Sequence, residues 1–348
     1  MNKPIRILIA VLMTMASIAG AMAQDAEQEP QPKLDYKGEP FSYIPRFGFT
    51  LRTRAAYSME ARGFQFSVRN TRVSMRGMAA SFLSYRAEVD LYNQGKFGVT
   101  DVFLRGHIGR QLFVTVGRHR DPFGIDVTAS PATQTFANRS FGADRMSDLR
   151  DIGISATYQP AAVPLIAEVG VYNGSGDALA WHGSPLASAR LGFNFKEVNV
   201  SASFRTYSPD SLRMNFFDAG FSWSHDRFFA EAEYIYQHYA RNAHKAAHGV
   251  NVMATYTLPI QSRVLSALTF GARFDYMSDH STGYRDVGLK LITDNPQRSR
   301  LTLGLAALRF DKVNARLRLD YEKYFGTRGL KLPDKEGDNI LLELVVYM

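Results

Sequence analysis

Residues 46–57 read Arg46-Phe47-Gly48-Phe49-Thr50-Leu51-Arg52-Thr53-Arg54-Ala55-Ala56-Tyr57. In an extended chain, successive side chains point to opposite sides. Phe47, Phe49, Leu51, Ala55 and Tyr57 therefore share one face, and Arg46, Thr50, Arg52 and Arg54 share the other. One side is apolar and the other strongly cationic. The division recurs in 83–91, where Leu83, Tyr85, Ala87, Val89 and Leu91 oppose Ser84, Arg86, Glu88 and Asp90. In 198–205, Val198, Val200, Ala202 and Phe204 oppose Asn199, Ser201, Ser203 and Arg205. It continues through 228–237, with Glu231, Glu233 and Gln237 on the polar side, and 315–322, with Arg316, Arg318, Asp320 and Glu322 there. The last residues alternate as well: Ile340, Leu342, Leu344, Val346 and Met348 against Leu341, Glu343, Val345 and Tyr347.

A soluble β-sandwich also alternates. Two features separate the cases. The apolar face carries large aromatics toward strand ends, as at Trp223, Tyr256 and Tyr276, which fits interfacial girdles around a lipid-facing band. The connectors also alternate in length. Strands are expected at 44–57, 64–77, 81–92, 99–109, 111–118, 151–159, 164–173, 188–196, 198–208, 216–225, 227–239, 248–258, 264–277, 299–310, 313–324 and 338–348. The turns at 78–80, 110, 160–163, 197, 226, 259–263 and 311–312 are short, whereas 119–150, 174–187, 278–298 and 325–337 are long. Short periplasmic turns and long outer loops make that rhythm, and a sandwich has no reason to keep it. The expected fold is all-β: a transmembrane antiparallel β-barrel of about sixteen strands.

Composition agrees through what is missing. Beyond the first residues of the 348, no run approaches the ~20 apolar residues of a spanning helix. The chain starts as an export signal: Lys3 and Arg6 precede an apolar stretch, 7–18, and Ala21-Met22-Ala23 forms a small-residue cleavage site before Gln24. Residues 1–23 are expected to be removed, 24–41 to form a flexible periplasmic lead-in rich in Glu, Gln and Pro, and 42–348 to form the barrel. The lead-in is too small for a lumen plug, which argues against an energised siderophore transporter. The absence of Cys excludes a lipid-attachment cysteine and a disulfide framework. The formal charge is +8; without Lys3 and Arg6, 39 basic residues face 33 acidic ones, a surplus of six. Export makes nucleic acid an improbable partner for that surplus and leaves small anions and lipopolysaccharide phosphates.

One segment breaks the pattern. Residues 119–150 show little alternation and are too long for an ordinary hairpin loop. They project outward or fold back into the lumen. In the second case Arg118, Arg120, Phe123, Arg139, Arg145 and Arg150 are the candidates for an anion-attracting constriction, with Asp121, Asp144, Asp148 and Asp151 able to pair with several of them. On the strands, Arg52, Arg54, Arg86, Arg105, Arg190, Arg205, Arg316 and Arg318 fall on the polar face and are the candidates for a cationic wall. Asp90, Asp101, Glu168, Glu231, Glu233, Asp320, Glu322 and Glu343 share that face, so the same arginines also read as ion-pair ladders that stiffen a barrel. Parity in the second strand slips near Asn70–Thr71, as a bulge would make it, and leaves the direction of Arg69 and Arg72 open.

In order and spacing, a set of fragments resembles the phosphate-selective porin O and P family of bacterial outer membranes. They are Phe66-Ser67-Val68-Arg69-Asn70-Thr71-Arg72-Val73 with Arg76-Gly77, Thr100-Asp101-Val102-Phe103-Leu104, and Val116-Gly117-Arg118 with Pro122-Phe123-Gly124. Asn138-Arg139-Ser140, Leu149-Arg150-Asp151-Ile152-Gly153, Gly170-Val171-Tyr172-Asn173-Gly174 and Ala230-Glu231-Ala232-Glu233-Tyr234 follow. The chain is shorter than better-known members and carries Arg118-His119-Arg120 where a lysine often precedes the Pro-Phe-Gly element. The resemblance implies a sixteen-stranded, usually trimeric barrel whose long third outer loop folds into the lumen, and passive diffusion of anions, phosphate or polyphosphate among them.

Catalytic and metal signals are weak. His238, His244 and His248 lie near one outer loop without the spacing of a helical metal pair. Asn173-Gly174-Ser175-Gly176 opens no helix and so makes a poor phosphate cradle. Nothing singles out a Ser or Asp paired with a rim His. The expectation is a non-enzymatic outer-membrane porin without cofactor or metal, embedded in outer-membrane lipid and lipopolysaccharide, homotrimeric, passing small anionic solutes. A surface-binding or adhesion barrel is the second reading and an outer-membrane hydrolase the third.

Overall fold

The structure, a computed structural model, describes residues 35–38, 41–147, 150–174, 184–210, 212–260, 262, 265–293, 295–310, 313–326 and 336–348. The expected export signal and most of the lead-in lie outside the described residues. The strands are β1 (Arg46–Ser58), β2 (Gly63–Ala80), β3 (Leu83–Asn93), β4 (Lys96–Ile108), β5 (Leu112–Arg120), β6 (Arg150–Tyr158), β7 (Leu165–Tyr172) and β8 (Leu186–Asn194). They continue as β9 (Val198–Tyr207), β10 (Met214–His225), β11 (Phe228–Tyr239), β12 (Ala247–Pro259), β13 (Ala267–Met277), β14 (Arg298–Phe310), β15 (Val313–Gly326) and β16 (Asn339–Tyr347). Each pairs antiparallel with its sequence neighbours, and β1 pairs with β16, so the sheet closes into a sixteen-stranded barrel without an edge.

Alternation decides which way every strand faces. On β16, Leu341, Glu343 and Val345 are buried and Ile340, Leu342 and Leu344 are exposed. On β10, Met214, Phe216 and Asp218 are buried while Phe217 and Phe221 are exposed. Around the whole circumference the outer face is apolar: Phe64, Phe66, Leu104, Val169, Leu191, Val252, Leu303 and Leu319 all stand exposed. A continuous exposed apolar belt of this size suits lipid and not water.

At the end that holds the C-terminus, where Phe49 and Met348 exchange backbone hydrogen bonds of 3.0 Å, the connectors are 81–82, 109–111, 159–164, 195–197, 226–227, 260–266 and 311–312. At the opposite end successive strands are separated by longer stretches of sequence, 121–149, 173–185, 278–297 and 327–338. The rhythm begins only with the third connector of that end, because Gln94 (φ 52) and Gly95 (φ 88) close the second with a tight two-residue turn.

The slip foreseen in the second strand is a bulge. Arg52 pairs with Asn70 and Thr53 with Val68, leaving Arg69 as the extra residue. Beyond it Arg72 shares the inner face with Asn70 and bonds Asp90 at 3.1 Å. Residues 35–38, expected to be part of a flexible lead-in, form a turn in which Tyr36 stacks on His107 of β4 at 3.6 Å between ring centres. An aromatic side chain within reach of another ring at the barrel mouth gains more by packing than by staying in water.

Glu343, on β16, accepts from three guanidinium groups, Arg52 and Arg54 of β1 at 3.0 Å each and Arg318 of β15 at 2.8 Å, all of them buried. Replacing it by alanine leaves three buried cations without their carboxylate, a change that costs about 3–5 kcal/mol when one partner of a buried pair is removed. The Glu343→Ala barrel is expected to lose its compact form at a clearly lower temperature, read from the heat-dependent shift in gel mobility of folded outer-membrane barrels; an unchanged transition would remove this cluster from the barrel's stability.

Candidate functional site

Between β5 and β6 the chain leaves the sheet and packs against the polar faces of distant strands. The Ala137 carbonyl accepts from Arg52 at 2.8 Å and from Arg54 at 2.7 Å, and its N–H donates to Asp320 of β15 at 2.6 Å. Arg273 of β13 donates to the Asn138 carbonyl at 2.8 Å, and the Asn138 amide donates to Glu322 at 3.0 Å. Arg318 donates to the Pro131 carbonyl at 2.7 Å and Arg316 to that of Gln134 at 2.6 Å. The Phe141 N–H donates to Asp275 at 3.0 Å. A segment without regular structure cannot pair its own backbone, and these side chains do it instead.

The remainder of the segment is held by apolar contact. A helical turn, Gly142–Ser147, carries Met146 into a buried cluster with Phe123, Phe141, Phe216, Ile235 and Tyr239. Arg205 of β9 places its guanidinium carbon 4.4 Å from the Phe123 ring centre and 4.6 Å from that of Phe216, donates to the Met146 carbonyl, and lies 3.4 Å from Asp121. Burial pushes the Asp121 carboxyl up to about 6, against the opposing pull of Arg205.

Opposite this sealed side a cavity of about 410 Å³ remains between the segment and the wall of β1 to β8. Wall arginines line it: Arg52, Arg72, Arg86 and Arg105, then Arg120, Arg150 and Arg190. From the loop come Arg139 and Asp121, and the other carboxylates are Glu88, Asp101 and Glu168. Eight arginines and four carboxylates therefore line it, and Glu343 and Asp90 pair with Arg52 and Arg72 from outside the lining. The ladder reading also holds in part: Arg86 lies 2.6 Å from Glu88, Arg150 2.9 Å from Asp101 and Arg190 3.6 Å from Glu168.

The eight wall candidates thus divide. Arg52, Arg86, Arg105 and Arg190 line the cavity, while Arg54, Arg205, Arg316 and Arg318 hold the loop; Arg52 does both. Among the loop candidates, Arg118, Arg120 and Arg150 belong to strands β5 and β6 rather than to the loop. Arg118 shares parity with the exposed Val116 and donates to the carbonyls of Val99 and Arg150, so it does not line the cavity. Phe123 is fully buried, and Arg145 pairs with Glu336 at 2.6 Å and does not line the cavity. Arg139 lines the cavity and donates to the Val127 carbonyl at 2.7 Å.

Arg72, Arg273 and Arg300 were missed as wall residues. The bulge hid the first. The other two carry the inward parity of β13 and β14 and bond the loop carbonyls of Asn138 and Arg139. Two glycines of the resemblance fragments also acquire a reason. Gly117 and Gly153 face each other across β5 and β6, and a Cβ on either would lie 2.3 Å from a backbone carbonyl. Gly117 additionally has φ +127, which disfavours any side chain.

A closed sixteen-stranded barrel, short turns at one end, long loops at the other and a cationic gap beside a clamped third loop together define the porin fold. Porins are among the solved structures similar to this chain. The anion-selective porin of Comamonas acidovorans superposes with a TM-score of 0.63 at 11% identity, covering 88% of this chain and 99% of its own. The trimer form of OmpT from Vibrio cholerae gives 0.57 at 12%, covering 88% and 99%. Salmonella typhi OmpF, in complex with daunomycin, gives 0.58 at 12%, covering 87% and 97%. No family model and no curated protein matches the sequence.

Because the folded-state pKa of Asp121 is raised from 3.8 to about 6, its contribution to stability is fully present below 3.8 and is lost as pH rises through 6. Asp121→Asn is expected to be at least as heat-stable as the parent at pH 8 and to flatten the gain the parent shows on acidification from pH 7 to 5. Equal pH dependence of the two melting curves would assign that gain to other groups.

Proposed function

We propose that the protein is an outer-membrane porin through which small solutes diffuse passively, with a preference for anions. The observation that carries this reading is the gap of about 410 Å³ between the clamped loop and the wall of β1 to β8, with its excess of arginine over carboxylate. An anion entering a narrow bore sheds part of its hydration, and guanidinium donors replace it, whereas a cation meets a barrier. The apolar belt supports seating in outer-membrane lipid, with lipopolysaccharide at the loop end, and the export signal supports delivery there. The trimer form of the Vibrio cholerae neighbour supports a homotrimer. The reading assigns the chain no reaction, cofactor or metal. Phosphate is one anion such a wall would pass, and membership of the phosphate-selective family rests on the fragment resemblance.

In planar bilayers under a potassium chloride gradient, the purified barrel is expected to give a reversal potential of the sign set by chloride. Arg86→Gln and Arg190→Gln should each move it toward zero. Replacing chloride by phosphate tests the finer selectivity. A cation-selective potential would sink the anion reading, and the absence of any conductance by folded protein would sink the porin reading itself.

A further inference from the structure

The lining differs in kind from one arginine to the next. Arg72, Arg86 and Arg190 each have a carboxylate within 4 Å. Arg105 has none among the described residues. Its Nε donates to the Thr115 hydroxyl at 3.0 Å, its guanidinium carbon lies 5.2 Å from the ring centre of Phe103, and its outer nitrogens are left to the cavity. A planar fork with both outer nitrogens available is the donor that a carboxylate matches in bidentate fashion.

Aromatic rings continue from this point toward the end with short turns. Phe103, Arg105 and His107 follow one another on the inner face of β4, and the first and last are about 13 Å apart at strand spacing. Phe113 of β5 stands edge-on to His107 at 5.2 Å, and Tyr36 stacks on the imidazole face, its ring centre 6.3 Å from that of Phe113. From the loop the cavity is lined by Pro122, the run Thr128-Ala129-Ser130-Pro131 and Arg139, and the loop's carboxylate there, Asp121, is turned to Arg205. A guanidinium without a carboxylate within 4 Å among the described residues thus shares the cavity lining with the ring of Phe103, the first of this run.

We propose that this bore favours planar organic carboxylates, aromatic ones above all, over inorganic anions and small aliphatic acids. The carboxylate exchanges water for the Arg105 fork while the ring lies against Phe103, which lines the same cavity. The proposal rests on the anion-porin reading and names its solute class.

The test uses the full folded barrel in planar bilayers, with reversal potentials measured between potassium chloride and potassium acetate, then potassium benzoate. Benzoate is expected to permeate about threefold better than acetate, the scale of one ring contact, although it diffuses more slowly in free solution. Phe103→Leu, which stays apolar and removes the ring face, should bring the ratio toward that of free diffusion. Arg105→Gln should lower both carboxylates relative to potassium. Chloride conductance reports in each case that an open barrel is present. Benzoate permeating no better than acetate, or a ratio indifferent to Phe103→Leu, would overturn the proposal and leave the porin reading intact; no chloride conductance in the parent would overturn that reading first.

Discussion

A loop that lies against the inside of a barrel brings backbone N–H and C=O groups away from bulk water, and each must find a partner. Here the partners are supplied by the wall. Arg52, Arg54, Arg273, Arg300, Arg316 and Arg318 donate to carbonyls between residues 131 and 139, and Asp275 and Asp320 accept from the N–H groups of Phe141 and Ala137. Most of these cations are not loose in the bore: Glu343 pairs with Arg52, Arg54 and Arg318, Glu322 with Arg300 and Asp275 with Arg273. Remove this clamp and the third loop has no reason to stay where it leaves a gap of defined width.

The clamp also divides the barrel functionally. On the side of β9 to β16 the arginines are spent on the loop backbone, and the apolar cluster around Phe123 and Phe216 completes the seal. On the side of β1 to β8 the arginines meet a smaller number of carboxylates and a stretch of loop without acidic side chains other than Asp121. One residue type therefore serves two purposes, and position around the circumference decides which. An exposed guanidinium in a water-filled bore attracts anions, whereas a buried one bonded to carbonyls is a structural bracket.

How much of this was legible follows from the range of each interaction. Parity along β1, β3, β9, β11, β15 and β16 was readable because a strand side chain has only two directions, and a slip by one residue would turn the greasy face inward. The expected strand limits agree with the observed ones to within a few residues throughout. Arg118 and Arg150 were assigned to the loop because the alternation weakens around Gly117 and Gly153, where the neighbouring strands β4 and β7 come too close for a side chain. The loop anchors were unreadable for a plainer reason. The wall side chains bind backbone carbonyls, which every residue possesses, so the loop sequence carries no mark of where it is held.

By itself the sequence determined a closed barrel of about sixteen strands with apolar exterior and charged interior, and many but not all of the cations that face inward, because these depend on local periodicity and connector length. Only the tertiary structure decided which of those cations hold the third loop and which border an open gap. That choice depends on residues brought together from up to 291 positions apart, as Arg52 and Glu343 are, and no local pattern encodes a distance across the bore.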